Sequence, residues 1–202
     1  MSNKTNELFW GDSKKASLQE SKGIEEVANR IYFYSKIDEQ AALTINRILS
    51  EMSINHLQDQ KTRQLEYPDP IFLHICTPGG LLYESLSIVE AIRRVQKEGI
   101  LVHTIIDGYV ASGGTLMSVI GDKRQIGKYS YMLIHQLSAA QIGKYDEVKD
   151  SMKNLDKMMN NVIGLYKEHS KFPEKKLEEL LKHDLILDAE TCLKYGLVDE
   201  IA

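Results

Sequence analysis

A serine, a histidine and one of two aspartates of this chain stand where acyl-transfer chemistry could be assembled. Ser112 follows an apolar run by a few positions, opens an apolar helix, and is flanked by Ala111, Gly113 and Gly114. Small neighbours let a carbonyl substrate come close, and the N–H after a serine so placed can point at a developing oxyanion. Val110 stands where an α/β-hydrolase elbow would carry glycine. His135 ends the apolar run Tyr131-Met132-Leu133-Ile134, the kind of strand terminus where open α/β sheets place their sites. Of the other histidines, His56 and His169 lie in polar surroundings, His183 abuts an acid, and His74 and His103 lie in or beside buried runs. An imidazole acting as base needs a third group to orient it and stabilise its charged form. Asp107 and Asp184 both stand at the ends of apolar runs, and spacing leaves the two open.

Thr77-Pro78-Gly79-Gly80 breaks a strand from a helix and leaves approachable backbone N–H groups, a second source of oxyanion donors. It lacks the lysine and the longer glycine frame of a phosphate loop, and no His-Glu-x-x-His pair suggests a metallopeptidase.

The elements that must hold these residues alternate along the chain. Ile31-Tyr32-Phe33-Tyr34 reads as a strand, and Asp38 as the N-cap of a helix through Leu43, Ile45, Ile48 and Leu49. Residues 55–70 are polar, end in two prolines and are expected as a loop. Strands are expected at Ile71–Ile75, 101–106, 124–126, 131–134 and 185–187. Helices are expected from Leu82 to Lys97, from Thr115 to Ile120, from Pro173 to Lys182, and from an Asp188 cap to Gly196. Units of this length predict an α/β fold with largely parallel strands. The longest helix, about 145–169, carries Val148, Met152, Leu155, Met159, Val162 and Tyr166 in a seam repeating every 3.5 residues or so. Met158 and Ile163 widen it, enough for a second surface against another subunit.

Composition bounds the rest. The chain has 202 residues, 43% hydrophobic and 27% charged, the values of an ordinary globular domain. A formal charge of −4 argues against nucleic acid or an acidic membrane as partner. Two cysteines, Cys76 and Cys192, are too few for a disulfide framework. No stretch nears the roughly 18 apolar residues of a membrane span, and no secretory signal opens the chain. A cytoplasmic protein is expected, with residues 1–29 as a mobile arm carrying the apolar knot Leu8-Phe9-Trp10 and residues 30–202 as the domain.

Taken together, Cys76-Thr77-Pro78-Gly79-Gly80, Ala111-Ser112-Gly113-Gly114, Leu133-Ile134-His135-Gln136 and Tyr195-Gly196-Leu197-Val198-Asp199 resemble the motif series of the Clp-protease proteolytic subunit. The resemblance implies a crotonase-like α/β fold with a long protruding interface helix, and a serine endopeptidase with a Ser-His-Asp triad. It implies Ser112 as nucleophile, His135 as general base and Asp184 rather than Asp107 as acid, with the N–H groups of Gly80 and Gly113 as oxyanion hole. It further implies a homo-oligomer of two stacked rings joined through the 145–169 helix, peptide and unfolded-protein substrates, and a Clp-type ATPase partner. That unfoldase would use the ATP, and this chain would need no cofactor or metal.

Gly113 replaces the family's usual methionine, as in signal-peptide-peptidase relatives of the fold. Leu137-Ser138-Ala139-Ala140 replaces the usual Pro and Gly residues after Gln136, in the segment (Gln136, Leu137, Ser138) expected to pair with substrate as an added strand. Residues 1–29 do not match the family's axial segment. Such divergence suits a phage-encoded or specialised member. The alternatives are a signal-peptide-peptidase-like or phage maturation protease, a crotonase-fold acyl-CoA enzyme and a non-catalytic ring subunit.

Overall fold

Apolar alternation builds the sheet. In β3 (Ile71–Thr77), Ile71, Leu73, Ile75 and Thr77 are buried, while Phe72, His74 and Cys76 on the opposite face are partly exposed. The same face of β2 (Arg30–Phe33) buries Ile31 and Phe33. These side chains share one core with Ala41, Ile45 and Leu49 of α1 (Glu39–Arg63) and Ile88, Ile92 and Val95 of α2 (Leu82–Lys97). Each fully buried Ile or Leu contributes about 1.5–3 kcal/mol, so this face alone fixes the register of the central strands.

A computed structural model describes residues 23–202. Within them β1 (Ile24–Val27), β2, β3, β4 (Val102–Ala111), β5 (Lys123–Ile126) and β8 (Glu200–Ile201) lie in the order β1-β2-β3-β4-β5-β8. Off this path β6 (Tyr131–Leu133) pairs with β4, and β7 (Ile186–Asp188) pairs with β6. The β1–β2 and β6–β7 pairs are antiparallel and the others parallel. The remaining helices are α3 (Gly113–Val119), α4 (Tyr145–His169), α5 (Glu174–Leu181) and α6 (Ala189–Lys194). This is the α/β architecture the sequence predicts.

Several boundaries differ from the sequence reading. The sheet starts at Ile24, inside the stretch expected as an arm through residue 29; residues 1–22 of that arm, with the Leu8-Phe9-Trp10 knot, lie outside the described residues. The loop expected over 55–70 gives its first half to α1, which runs to Arg63 and stops where Gln64 turns left-handed at φ 53°. Its polar residues carry no apolar period, yet Gln, Lys and Arg are good helix formers. The 101–106 strand continues through Asp107-Gly108 to Ala111. Gly108, at φ 79°, lets β4 bend and change neighbours, from β5 along His103–Ile106 to β6 along Tyr109–Ala111.

The cap assignments agree with the sequence. Asp38 Oδ1 accepts from the Ala41 N–H at 2.8 Å, and Asp188 Oδ1 from the Thr191 N–H at 2.8 Å. Glu147 Oε2 accepts from the Lys144 N–H at 2.9 Å and opens α4. That helix buries only Val162 and Tyr166, near its C-terminus; from Tyr145 to Asn161 no residue is buried, and Met152 is 53% exposed. No helix among the described residues is long and apolar enough to cross a membrane.

Candidate active site

The bend of β4 delivers its last residue, Ala111, to the mouth of the sheet, and Ser112 makes the turn into α3. Ser112 sits at φ 53° and ψ −129°, a conformation L-residues avoid and one costing on the order of 1–3 kcal/mol. The surrounding structure holds it there. Its N–H donates to Leu133 O at 2.9 Å, and its carbonyl accepts from the Thr115 N–H at 3.0 Å. The strained turn lifts the hydroxyl away from the strand, toward a cavity of about 190 Å³ lined by Gly80, Ser112, Gly113, Leu116, His135 and Leu137 among others.

The Pro-Gly-Gly turn forms the adjoining wall. Gly79 takes φ +87°, and a Cβ there would lie 2.6 Å from both Ser112 Cβ and Ala111 O, so only glycine lets the two turns touch. Ile37 N–H donates to Gly79 O and Leu81 N–H to Ile37 O, each at 2.9 Å, which pins the turn on both sides of Gly80. The N–H groups of Gly80 and Gly113 have no internal hydrogen-bond partner among the described residues. Two bare donors thus border the serine.

His135 and Asp184 meet through strand register. In the antiparallel β6–β7 pair Tyr131 faces Asp188, Met132 faces Leu187 and Leu133 faces Ile186. Two further steps in the same register set His135 opposite Asp184, and His135 Nδ1 lies 3.2 Å from Asp184 Oδ1. A proton carried on Nδ1, toward the carboxylate, would leave Nε2 on the side away from Asp184. The Gln136 N–H donates to Leu181 O at 2.7 Å, tying the segment after His135 to the end of α5. The His135 side chain is 27% exposed and that of Asp184 77% exposed, so water competes for the carboxylate. Ser112 and His135 line one cavity without a hydrogen bond between them among the described residues; catalytic contacts commonly tighten only when substrate is bound.

The other carboxylate, Asp107, belongs elsewhere. Its Oδ2 accepts from the Tyr34 hydroxyl and contacts His74 Nδ1, each at 2.8 Å, on the sheet face turned away from α1 and α2. Arg30 bonds the far side of His74 at 3.0 Å, and Tyr32 stacks on its ring. Burial and the Asp107 carboxylate push the Tyr34 hydroxyl upward. The geometry therefore separates the two acids that spacing left open, and nothing in the sequence signalled the His74–Asp107 pair.

Of the expected substrate segment, Gln136, Leu137 and Ser138 line the cavity, and Leu137 and Ser138 continue into a groove of about 460 Å³ between the start of α2 and α4. The Gln136 N–H is already committed to Leu181. Among the described residues no group of three or more His, Cys, Asp or Glu side chains is placed to hold a metal.

A family model described as Clp protease matches residues 24–202. The ATP-dependent Clp protease proteolytic subunit of Deinococcus radiodurans is 31% identical over 133 residues, 65% of this chain and 64% of that protein. Proteolytic subunit 2 of Treponema denticola is 31% identical over 160 residues, 78% of each chain. Proteolytic subunit 2 of Streptomyces coelicolor is 28% identical over 174 residues, 83% of this chain and 78% of that one. The match runs from the first sheet strand to the last residue and takes in both glycine turns and both strand ends of the cavity, so the chain belongs to the Clp protease family and is a serine-type peptidase.

Proposed function

We propose that this chain is a peptide-bond hydrolase working through Ser112, His135 and Asp184, with Gly80 and Gly113 as oxyanion hole, inside an oligomeric chamber. The observation that carries the reading is the convergence on one cavity of Ser112 in its strained turn, His135 oriented by Asp184 at 3.2 Å, and two unpaired backbone donors. Ser112 Oγ attacks the scissile carbonyl and gives its proton to His135 Nε2. The Gly80 and Gly113 N–H groups receive the oxyanion, a role worth about 10²–10³ in turnover per donor. Collapse breaks the C–N bond, and His135 returns the proton to the leaving amine. Water then repeats the sequence on the acyl-enzyme, giving up its proton to His135 and releasing Ser112.

The N-terminal two-thirds of α4, where no residue is buried, supports the chamber. A helix with Val148, Met152, Leu155 and Met159 along one seam and no buried residue before Val162 fits a partner subunit, and stacked rings of this chain supply one. An ATP-using unfoldase of the Clp type would deliver unfolded chains in the cytoplasm, and the peptidase itself would need no cofactor.

The experiment is a serine-directed fluorophosphonate, with native mass measured before and after. One label per subunit on Ser112 in a species of many subunits is the expected result. Ser112→Ala should lose label and about 10⁶-fold in turnover while keeping its assembly. Labelling elsewhere, or residual turnover near that of the unsubstituted protein, overturns the assignment.

A further inference from the structure

The peptide unit that joins Ser112 to Gly113 carries two groups of unequal fame. Its N–H is one of the proposed oxyanion donors; its carbonyl points the opposite way, because the unit is planar and trans. Whatever holds that carbonyl therefore aims the donor. Ser112 O accepts twice from one residue, from the Thr115 N–H at 3.0 Å and from Thr115 Oγ1 at 2.6 Å. The backbone bond alone would close the first turn of α3, so the hydroxyl bond is an addition to it.

Thr115 Oγ1 has one hydrogen and spends it on Ser112 O. Its other neighbour, the Tyr166 hydroxyl at 2.5 Å, must then be the donor to it. Tyr166 lies on α4, 51 residues further along the chain. Both side chains are buried, Thr115 0% and Tyr166 1% exposed, and Tyr166 also forms part of the wall of the Ser112 cavity. The result is a one-way relay, Tyr166 O–H to Thr115 Oγ1–H to the Ser112 carbonyl, in which each bond polarises the next. It ends on the residue whose backbone is strained at φ 53°.

We propose that Thr115 and Tyr166 are positioning residues, whose hydroxyls lock the Ser112–Gly113 peptide so that the Gly113 N–H meets the oxyanion. The inference rests on the Ser112 reading above and adds two residues to it. Neither touches the reacting atoms. Their effect is exerted on the orientation of one peptide plane, and it should be felt in the transition state, where the oxyanion forms, rather than in substrate binding.

The test is steady-state hydrolysis of a short fluorogenic peptide, with inhibition by a peptide aldehyde, whose adduct with the serine carries the same oxyanion. Tyr166→Phe deletes one oxygen and leaves the ring in place; Thr115→Val deletes the relay and keeps the shape; Thr115→Ser keeps the hydroxyl. Tyr166→Phe and Thr115→Val should each lower kcat about 10–100-fold, short of the ~10²–10³ for losing a donor outright. KM should stay within about threefold, and the aldehyde should weaken in proportion to kcat. Thr115→Ser should recover most of the rate, and the Tyr166→Phe/Thr115→Val double variant should be no worse than the poorer single, since both cut one relay. Unchanged kcat in Tyr166→Phe, a loss confined to KM, equal impairment in Thr115→Ser and Thr115→Val, or additive losses would each overturn the proposal. If Thr115→Val does not fold, Tyr166→Phe decides alone. Fluorophosphonate labelling of the unsubstituted protein separates the two readings. Label on Ser112 with unimpaired variants sinks only the relay, whereas label on another residue removes the triad and this inference with it.

Discussion

Why glycine follows the nucleophile is a packing question with a measurable answer. A Cβ on Gly113 would lie 2.1 Å from Ser85 Oγ and 2.9 Å from Ser85 Cβ. The hydroxyl could rotate aside, but the Cβ is fixed to the backbone of α2, and Ser85 is 0% exposed with its hydroxyl donating to Leu81 O at 2.7 Å. Gly113→Ala must therefore push α3 and α2 apart. Overpacking of this kind costs about 1–3 kcal/mol, which in a chain of this size lowers the thermal midpoint by roughly 2–12 °C. The displacement carries the Gly113 N–H with it, so kcat should fall by up to about 10²–10³-fold. Ser85→Gly removes both offending atoms and leaves Ile37 Cδ1, at an ordinary 3.7 Å, as the next contact. The Ser85→Gly/Gly113→Ala double variant should recover most of the rate, at about 1 kcal/mol for a glycine inside α2. The assays are thermal melts and peptide hydrolysis on the four proteins of the cycle. A fully active Gly113→Ala, or a double variant no better than it, would refute the reasoning.

Three further outcomes are expected. Asp184→Asn should cut turnover by about 10²-fold or more, less than the ~10⁴ of a buried triad acid, because the carboxylate is 77% exposed; Asp107→Asn should leave turnover within a few-fold, and the reverse pattern would exchange the two acids. Met152→Glu, Leu155→Glu or Met159→Glu should split stacked rings in sedimentation velocity, a buried carboxylate costing several kcal/mol, whereas intact assembly in all three would leave α4 without that role. Burial holds the His169 and His103 imidazoles below their ordinary range, with Arg93 and Arg124 adding to the effect at His169, whose Nε2 receives Arg93 at 3.1 Å. The unfolded chain then binds more protons as pH falls below about 6.5, so stability should decline from there toward acid, and His169→Gln should flatten the slope of unfolding midpoint against pH.

Much was legible before folding. Ser112 among small residues, His135 at a strand end, the Pro-Gly-Gly turn and the 3.5-residue seam of α4 are local patterns, and local patterns follow from side-chain volume, backbone freedom and period. The α/β architecture follows from the same source, since buried alternation in β3 and the caps at Asp38 and Asp188 are short-range choices. What the sequence left open involves pairs far apart along the chain. Ile24-Glu25-Glu26-Val27 is a strand only because β2 lies beside it, and the 55–63 stretch is helical without an apolar face to announce it. Asp184 rather than Asp107 faces His135 because β7 runs antiparallel to β6 in one particular register, and a slip of one residue would turn the carboxylate to the other side of the sheet. Ser112, Thr115 and Tyr166 likewise meet only when α4 packs back on α3. Residue type supplies the chemistry; register and helix packing, set by burial of the shared core, decide which of the available groups come within bonding distance.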